Sequence, residues 1–175
     1  YDLSLESYHL KDGFGSVGVF QKNIKDFFGS VRSVATPELL DLYGLPADPA
    51  YLNYEIATTT NTGDAKITGV EFSYRQSLTF LPSWARGFQV FLNGTKMNLS
   101  GSTTANFTGF NPSSYAGGIN FIRPRYFIKL TCTHQGETRR GAVAASAANG
   151  IPAGTFNYQD ARTRWGLSAH YILSK

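Results

Sequence analysis

Few side chains in this chain could do covalent chemistry, and they are scattered. Cys132 is the single cysteine and cannot close an internal disulfide. It sits mid-run in a β-prone segment, where a small apolar role fits it, and no sequence context makes a dyad of it with a distant histidine. His9, His134 and His170 are too far apart to show a metal-ligand spacing. There is no G-x-S-x-G, phosphate-binding loop or His-Glu-x-x-His. The residue types therefore predict no enzyme, no cofactor and no metal centre. What remains is a carboxylate and a guanidinium, Glu71 and Arg75. Four residues apart on a strand, they share one face. Such a pair keeps a wall charged and wet, or touches a passing substrate.

The element that holds this pair is KITGVEFSYRQSLTF, Lys66 to Phe80. Val70, Phe72, Tyr74, Leu78 and Phe80 alternate with Gly69, Glu71, Ser73, Arg75 and Ser77. A period of two predicts a β-strand with one aromatic-rich face and one polar face. Fifteen residues would span roughly 50 Å, several times a typical strand. So long a strand needs an unusual sheet, and its apolar face must meet either a protein core or lipid.

The 175 residues suit one domain. Charged residues make up 16%, against a usual value of about 25%. With 13 Phe, 10 Tyr and 18 Gly, this is a turn-rich β composition and not a disordered one. The formal charge of +4 is spread out, apart from Arg139–Arg140 and Arg123-Pro124-Arg125, which argues against a nucleic-acid partner. No apolar run is long enough for a transmembrane helix, and no signal peptide opens the chain. Both ends fall in mid-pattern, so a fragment of a longer chain is expected. The triplets at Asn93, Asn98 and Asn106 would carry glycans only in a secretory eukaryotic protein, and Ser/Thr/Asn-rich stretches more simply mark loops.

Alternation predicts strands over Tyr1–Leu10, Ser16–Phe28, Lys66–Phe80, Phe88–Leu99, Ser114–Ile122, Tyr126–Arg139 and Arg162–Leu173. The pattern leaves the facing of the second open, because Val17 and Val19 compete with Phe20 and Ile24. A short helix is expected over Thr36–Gly44, with Thr36 as N-cap, Pro37 in the first turn and Gly44 as its stop. Tyr54–Thr60 is β-prone, either a hairpin arm or an extension of the next strand. The connections run short, long, short, long, short, long: Lys11–Gly15, Gly29–Thr62, Leu81–Gly87, Gly101–Pro112, Arg123–Arg125 and Gly141–Asn157. An up-and-down meander puts all the short turns on one edge and all the long loops on the other.

The predicted fold is therefore all-β: an antiparallel meander of about seven long strands, part of a transmembrane β-barrel. Trp84, Trp165, Tyr126 and Tyr171, near turns or strand ends, are the expected interfacial aromatics. Long loops on a rigid wall carry recognition, so Tyr43, Tyr51, Arg139, Arg140 and Tyr158 are candidate ligand-binding residues. Glu71 and Arg75 are expected to face the lumen. The alternative is a soluble β-sandwich that binds a ligand such as carbohydrate through exposed Tyr and Trp. A hydrolase on a β scaffold lacks a nucleophile or paired carboxylates.

The string TTTNTGDAKITGVEFSYRQSLTFLPSWARGFQVFLNGT resembles the barrel of TonB-dependent outer-membrane receptors. Asn61, Gly63, Ala65, Gly69, Glu71 and Ser73 match the form N-x-G-x-A-x-x-x-G-x-E-x-S, and Asn93 and Thr95 follow on the next strand. YDLSLESYHLKDGFGSVGVFQKNIKDFF, INFIRPRYFIKLTCTHQGETRR and RTRWGLSAHYILSK also look like strands late in such barrels. The resemblance implies a barrel of about 22 strands around an N-terminal plug. It implies active uptake of an iron–siderophore complex, a vitamin or a glycan in a bacterial outer membrane. The implied partners are outer-membrane lipid, a small nutrient ligand, and TonB acting through the plug. Residues 1–175 would be a partial barrel domain without the plug, from the C-terminal half but short of its end. Glu71 and Arg75 would then face the plug or the substrate. Lys66–Phe80 would run towards the short turns, with Phe80 and Trp84 near the periplasmic interface.

Overall fold

The computed structural model describes residues 1–52, 54–101, 107–146, 148–152 and 154–173. Eleven strands follow in chain order: β1 Asp2–Ser7, β2 Gly13–Ile24, β3 Phe28–Val34, β4 Glu55–Asn61, β5 Ala65–Ser77, β6 Phe88–Gly101, β7 Ser113–Ile122, β8 Tyr126–Gln135, β9 Thr138–Ala142, β10 Phe156–Gln159 and β11 Arg162–Tyr171. Helix α1, Pro37–Leu42, lies between β3 and β4, followed by a 3-10 turn at Pro49–Tyr51. A seven-stranded sheet runs in the order β1-β2-β5-β6-β7-β8-β11, antiparallel throughout. The expected meander is the observed one. Two hairpins, β3–β4 and β9–β10, rise from its long-loop edge.

Several boundaries differ from the sequence reading. The second strand ends at Ile24 rather than Phe28, because Asp26 takes φ 52 and bends the chain. The bend is tied to Asn61-Thr62-Gly63-Asp64. Asp26 N–H donates to Asp64 Oδ1 at 3.1 Å, Asn61 Nδ2 donates to Asp26 Oδ1 at 2.9 Å, and Phe27 N–H donates to Gly63 O at 3.0 Å. Asn61 and Gly63 thus serve as the joint where the sheet hands over to the β3–β4 hairpin. The strand expected to run from Tyr126 to Arg139 is split. Gly136 N–H still donates to Ser113 O at 2.7 Å, but the ladder ends there and the chain turns into β9. The 141–157 loop therefore holds the rest of β9 and the start of β10. The fifteen-residue strand ends at Ser77, short of Phe80, and Leu78 keeps one bridge by donating to Phe88 O at 2.8 Å.

The helix forms as its caps dictate. Thr36 Oγ1 accepts from Leu39 N–H at 3.2 Å, Pro37 opens the first turn, Leu40 is buried, and Gly44 at φ 65 ends the run. Tyr54–Thr60 is a hairpin arm, since β4 pairs with β3 and not with the main sheet. On the short-turn edge, successive turns are stitched together. Arg123 Nη2 donates to Ser83 O at 2.7 Å and Trp84 O at 2.6 Å, Ile122 N–H donates to Gly87 O at 2.9 Å, and Ile172 N–H donates to Arg125 O at 2.8 Å.

Ladder partners share a face, so the register settles every facing. Val17 pairs with Phe72 and Val19 with Val70, which puts both valines on the apolar face; Phe20 pairs with Gly69 on the polar face. The Phe20 ring lies over Gly69, where a Cβ would come within 2.4 Å of it. Asp2, Glu6, Lys22, Glu71, Arg75, Lys129, Arg162 and Arg164 all stand on the polar face. Of the charged strand residues in the seven-stranded sheet, Lys66 and Lys96 alone stand on the other.

Among the described residues no element packs on either face of the sheet. Strands touch their ladder neighbours, and β3 also touches β9. A buried apolar cluster, Ala65 and Phe107 with Ile24, Phe27, Leu99 and Phe110, sits at the long-loop edge. The apolar face is therefore bare: Leu5 is 72% exposed, Leu167 74% and Trp165 70%.

The upper edge of that apolar face crosses the ladder rows at a slant. Row Leu3–Val19–Val70–Lys96–Ser113 turns polar at β6. Row Leu5–Val17–Phe72–Gly94–Tyr115–His134–Thr163 turns polar at β8. Row Tyr74–Leu92–Gly117–Cys132–Trp165 has no polar break as far as β11. The lower margin moves the same way and is aromatic on each of the last five strands: Tyr74, Phe88, Phe121, Tyr126 and Tyr171. Phe88 and Phe121 rings are 4.5 Å apart, and Phe121 and Tyr126 5.8 Å.

Two outcomes check this packing. Gly94 lies between Phe72 and Tyr115, where a Cβ would meet Tyr115 at 2.4 Å and Phe72 at 2.9 Å, whereas nothing lies within 4 Å of one on Gly141. Gly94→Val should lower unfolding stability by about 1–3 kcal/mol, and Gly141→Ala should stay within about 0.5 kcal/mol, as read by denaturant titration. Glu38 is held below the usual carboxylate range, first by its own backbone N–H and then by the Thr36 hydroxyl. A depressed pKa stabilises the fold above the ordinary carboxylate value, and that contribution is lost as pH falls through the folded value. Thr36→Val should raise the Glu38 titration midpoint towards the ordinary value, followed by carboxyl NMR.

Candidate functional site

Two regions could meet a ligand, the polar face of the sheet and the long-loop edge above it. The polar face is built from the alternation of β5, β6, β7 and β8. Arg75, Phe14, Ser73, Gln89, Phe91, Asn93, Asn120 and Lys129 border a shallow hollow of about 450 Å³. Lys129 Nζ sits 5.5 Å from the Phe91 ring centroid, a cation–π contact. Asn120 Nδ2 donates to Gln89 Oε1 at 3.3 Å, and Gln89 Nε2 donates to Ser77 Oγ at 3.2 Å. Asn120 Oδ1 is buried and has no hydrogen-bond partner among the described residues. Glu71 and Arg75 share this face, as their spacing requires, but no ion pair joins them among the described residues. Glu71 instead lies against Gly18, where a Cβ would stand 3.3 Å from its Cγ.

The second region is a cleft of about 590 Å³ at the long-loop edge. Met97 and Leu99 of β6 form its floor, and Phe107, Phe110, Glu137, Arg139, Phe156 and Tyr158 its sides. Phe27 stacks on Phe107 at 4.2 Å, which fixes one wall. The other wall is the β9–β10 hairpin, where Tyr158 pairs with Arg139 and the Arg139 guanidinium lies 4.6 Å over the Phe156 ring. The contact is a cation–π one. Among the described residues the cleft offers aromatic faces, one cation and one carboxylate, a set suited to binding.

Of the loop candidates, Arg139 and Tyr158 line the cleft. Arg140 stands beside it and donates to Gln159 Oε1. Tyr43 and Tyr51 lie elsewhere, at the end of α1 and in the 3-10 turn, with Tyr51 against Tyr54 at 5.9 Å. Asn106 lies outside the described residues. Sequence reasoning missed Phe107, Phe110 and Phe156. Their signal was present, as single aromatics inside Ser/Thr/Asn/Ala-rich stretches that have no other reason to hold them.

His134 Nδ1 is 2.9 Å from Thr163 Oγ1, with its ring beside Tyr115, and Cys132 is a half-buried free thiol on the apolar face. No group of His, Cys, Asp or Glu able to hold a metal occurs among the described residues. No helix is long and apolar enough to cross a membrane.

No curated protein matches the sequence. Among solved structures, a variant of the ferric enterobactin receptor PfeA from Pseudomonas aeruginosa is similar at TM-score 0.61 and 18% identity, over 99% of this chain and 23% of that one. The chain thus spans about a quarter of that receptor, and at this identity the likeness is one of fold. The model of the TonB dependent receptor-like β-barrel family matches residues 1–174. With a meander of long two-faced strands, tight turns on one edge and long loops on the other, the chain belongs to the TonB-dependent receptor-like β-barrel family.

Proposed function

We propose that this chain forms part of the wall and mouth of a TonB-dependent transporter, which takes up a scarce nutrient across a bacterial outer membrane. The observation that carries this reading is the sorting of charge between the faces. Every carboxylate and guanidinium on the seven-stranded sheet stands on the polar face, while the opposite face is a bare apolar band with an aromatic lower margin. Lipid covers such a band without a second sheet, and a wet lumen meets the charges.

The slant of the band supports the same reading. The upper edge shifts by about one residue per strand, about 3.3 Å against a strand spacing of about 4.8 Å. A flat slab edge crossing the sheet in that way corresponds to strands tilted by about 35° from the barrel axis, at the low end of the usual range for membrane barrels. The short turns then lie on the periplasmic side with Phe80 and Trp84. The cleft opens outside, where nutrient arrives.

In this assignment Arg139, Tyr158 and Phe156 select the ligand by stacking and charge, and no covalent step occurs. The ligand classes are those the family implies: an iron–siderophore complex, a vitamin or a glycan, each with planar or ring faces suited to the cleft. Coupling to TonB through a plug is assigned to the remainder of a longer receptor. Glu71, Arg75 and Asn120 are placed on the lumen wall, where water or the plug would meet them. The soluble sandwich is disfavoured because no described element packs on the apolar face.

The test is uptake by cells carrying the full-length receptor, with the nutrient identified by growth rescue. Uptake should require TonB. Arg139→Ala and Phe156→Ala should each weaken ligand binding by about tenfold, while Tyr51→Ala should change it less than about threefold. Uptake independent of TonB would overturn the transporter reading, and equal effects at all three positions would overturn the cleft as its site.

A further inference from the structure

Phe27 packs on the opposite side from the one its place in the chain dictates. Odd-numbered residues of β2, Val17 and Val19 among them, face the apolar side, and even-numbered ones, Phe20 among them, the polar side. Strict alternation would carry Phe27 out with the valines. Instead its ring stacks on Phe107 at 4.2 Å, in the cluster that holds Ile24 and Leu99. Both of those are polar-face positions: Ile24 continues the even series of β2, and Leu99 pairs with Ile67. Phe28, the next residue, is 67% exposed.

The cause lies one residue back. The β2–β5 ladder ends at Ile24 with Ala65, and the β3–β4 ladder begins at Phe28 with Asn61. Equal lengths of chain, Lys25–Phe27 and Thr62–Asp64, join the two, so Asp26 falls opposite Gly63. Both are left-handed, Asp26 at φ 52 and Gly63 at φ 99. Such a residue in a paired strand re-aims the side chains that follow it. Side chains hold the bend. Asn61 Oδ1 accepts from Gly63 N–H at 2.8 Å while Asn61 Nδ2 donates to Asp26 Oδ1 at 2.9 Å, and Asp64 Oδ1 accepts from Asp26 N–H at 3.1 Å. Thr62, opposite Phe27, is turned in with it: it is buried, and its hydroxyl donates to Phe27 O at 2.9 Å. We propose that Asp26 and Gly63 are positioning residues for the cleft. Their opposed left-handed bend switches Phe27 from the apolar side to the polar side, where its ring fixes the Phe107 wall. Neither residue meets ligand; both act through Phe27. Asp, like Asn, tolerates the left-handed backbone, and a β-branched residue does not.

This inference rests on the reading of the cleft as a ligand site, and the experiment separates the two. The full-length receptor, with Cys132→Ser, carries Phe27→Cys and Phe107→Cys and is treated in its membrane with a short bismaleimide. The pair should crosslink, and should still do so with Asp26→Asn. Asp26→Val or Gly63→Val should abolish the crosslink, with heat-modifiable migration checking that each barrel is folded. Undiminished crosslinking in both valine variants would overturn the switch. The second readout uses the otherwise native receptor and the nutrient that growth rescue identifies. Asp26→Val should weaken its binding by about tenfold, the worth of one aromatic pair, and Asp26→Asn should bind like the wild type. Adding Asp26→Val to Phe27→Ala should cost nothing further, because the residue acts through that ring. Binding unchanged by Asp26→Val but weakened by Arg139→Ala would overturn the positioning role alone. Binding unchanged by either would overturn the cleft as well.

Discussion

The fold depends on complete backbone pairing in a sheet that has no second layer packed on it. Each interior strand spends its N–H and C=O groups on two neighbours, and among the described residues no other strand or helix packs on either face, the 107–110 segment alone meeting the polar face at the long-loop edge. In a soluble domain a sheet buries one face against another layer, and that burial is the main stabilising term. Here the backbone ladders are the structure and the solvent on each side is the variable. Lipid demands that every backbone polar group be satisfied internally, and a closed barrel of such strands is the β solution. The open edges at β1 and β11 are consistent with that closure, since each presents an unpaired row to a further strand.

With packing across layers removed, side chains are selected strand by strand. On the apolar face, size is balanced within rows: Gly94 makes room for the Phe72 and Tyr115 rings. On the polar face the same device places Phe20 over Gly69 and Glu71 over Gly18. The glycines and glutamate of the N-x-G-x-A-x-x-x-G-x-E-x-S pattern thus have physical roles in the wall. Asn61 and Gly63 build the joint to the outer hairpin, Gly69 receives a ring, and Glu71 lies on a glycine. None of these roles is chemical.

Much of the wall was legible in the sequence because period-two alternation is a local property. The seven strands, their order, the alternation of short and long connections and the helix behind Thr36 all follow from neighbours in sequence. The facing of β2 was not legible. Val17, Val19, Phe20 and Ile24 fit either side until the pairing with β5 decides. The split of β8 from β9 was hidden because Gly136 interrupts an alternating run without breaking its pattern. The cleft was half visible. Arg139 and Tyr158 stood out as polar and aromatic residues on long loops, but Tyr43 and Tyr51 stood out equally and belong to a different hairpin. Only the fold brings Phe107 to the β9–β10 pair.

The central claim is that Phe72 and Tyr74 meet lipid while Glu71 and Ser73 meet water. A cysteine scan along β5 in the native membrane tests it most directly, with Cys132 first replaced by Ser so that no outward thiol confuses the reading. A charged, water-soluble thiol reagent should label cysteines at 71, 73 and 75 and spare those at 70, 72 and 74. Uniform labelling along the strand, or the opposite alternation, would contradict the assignment of the two faces.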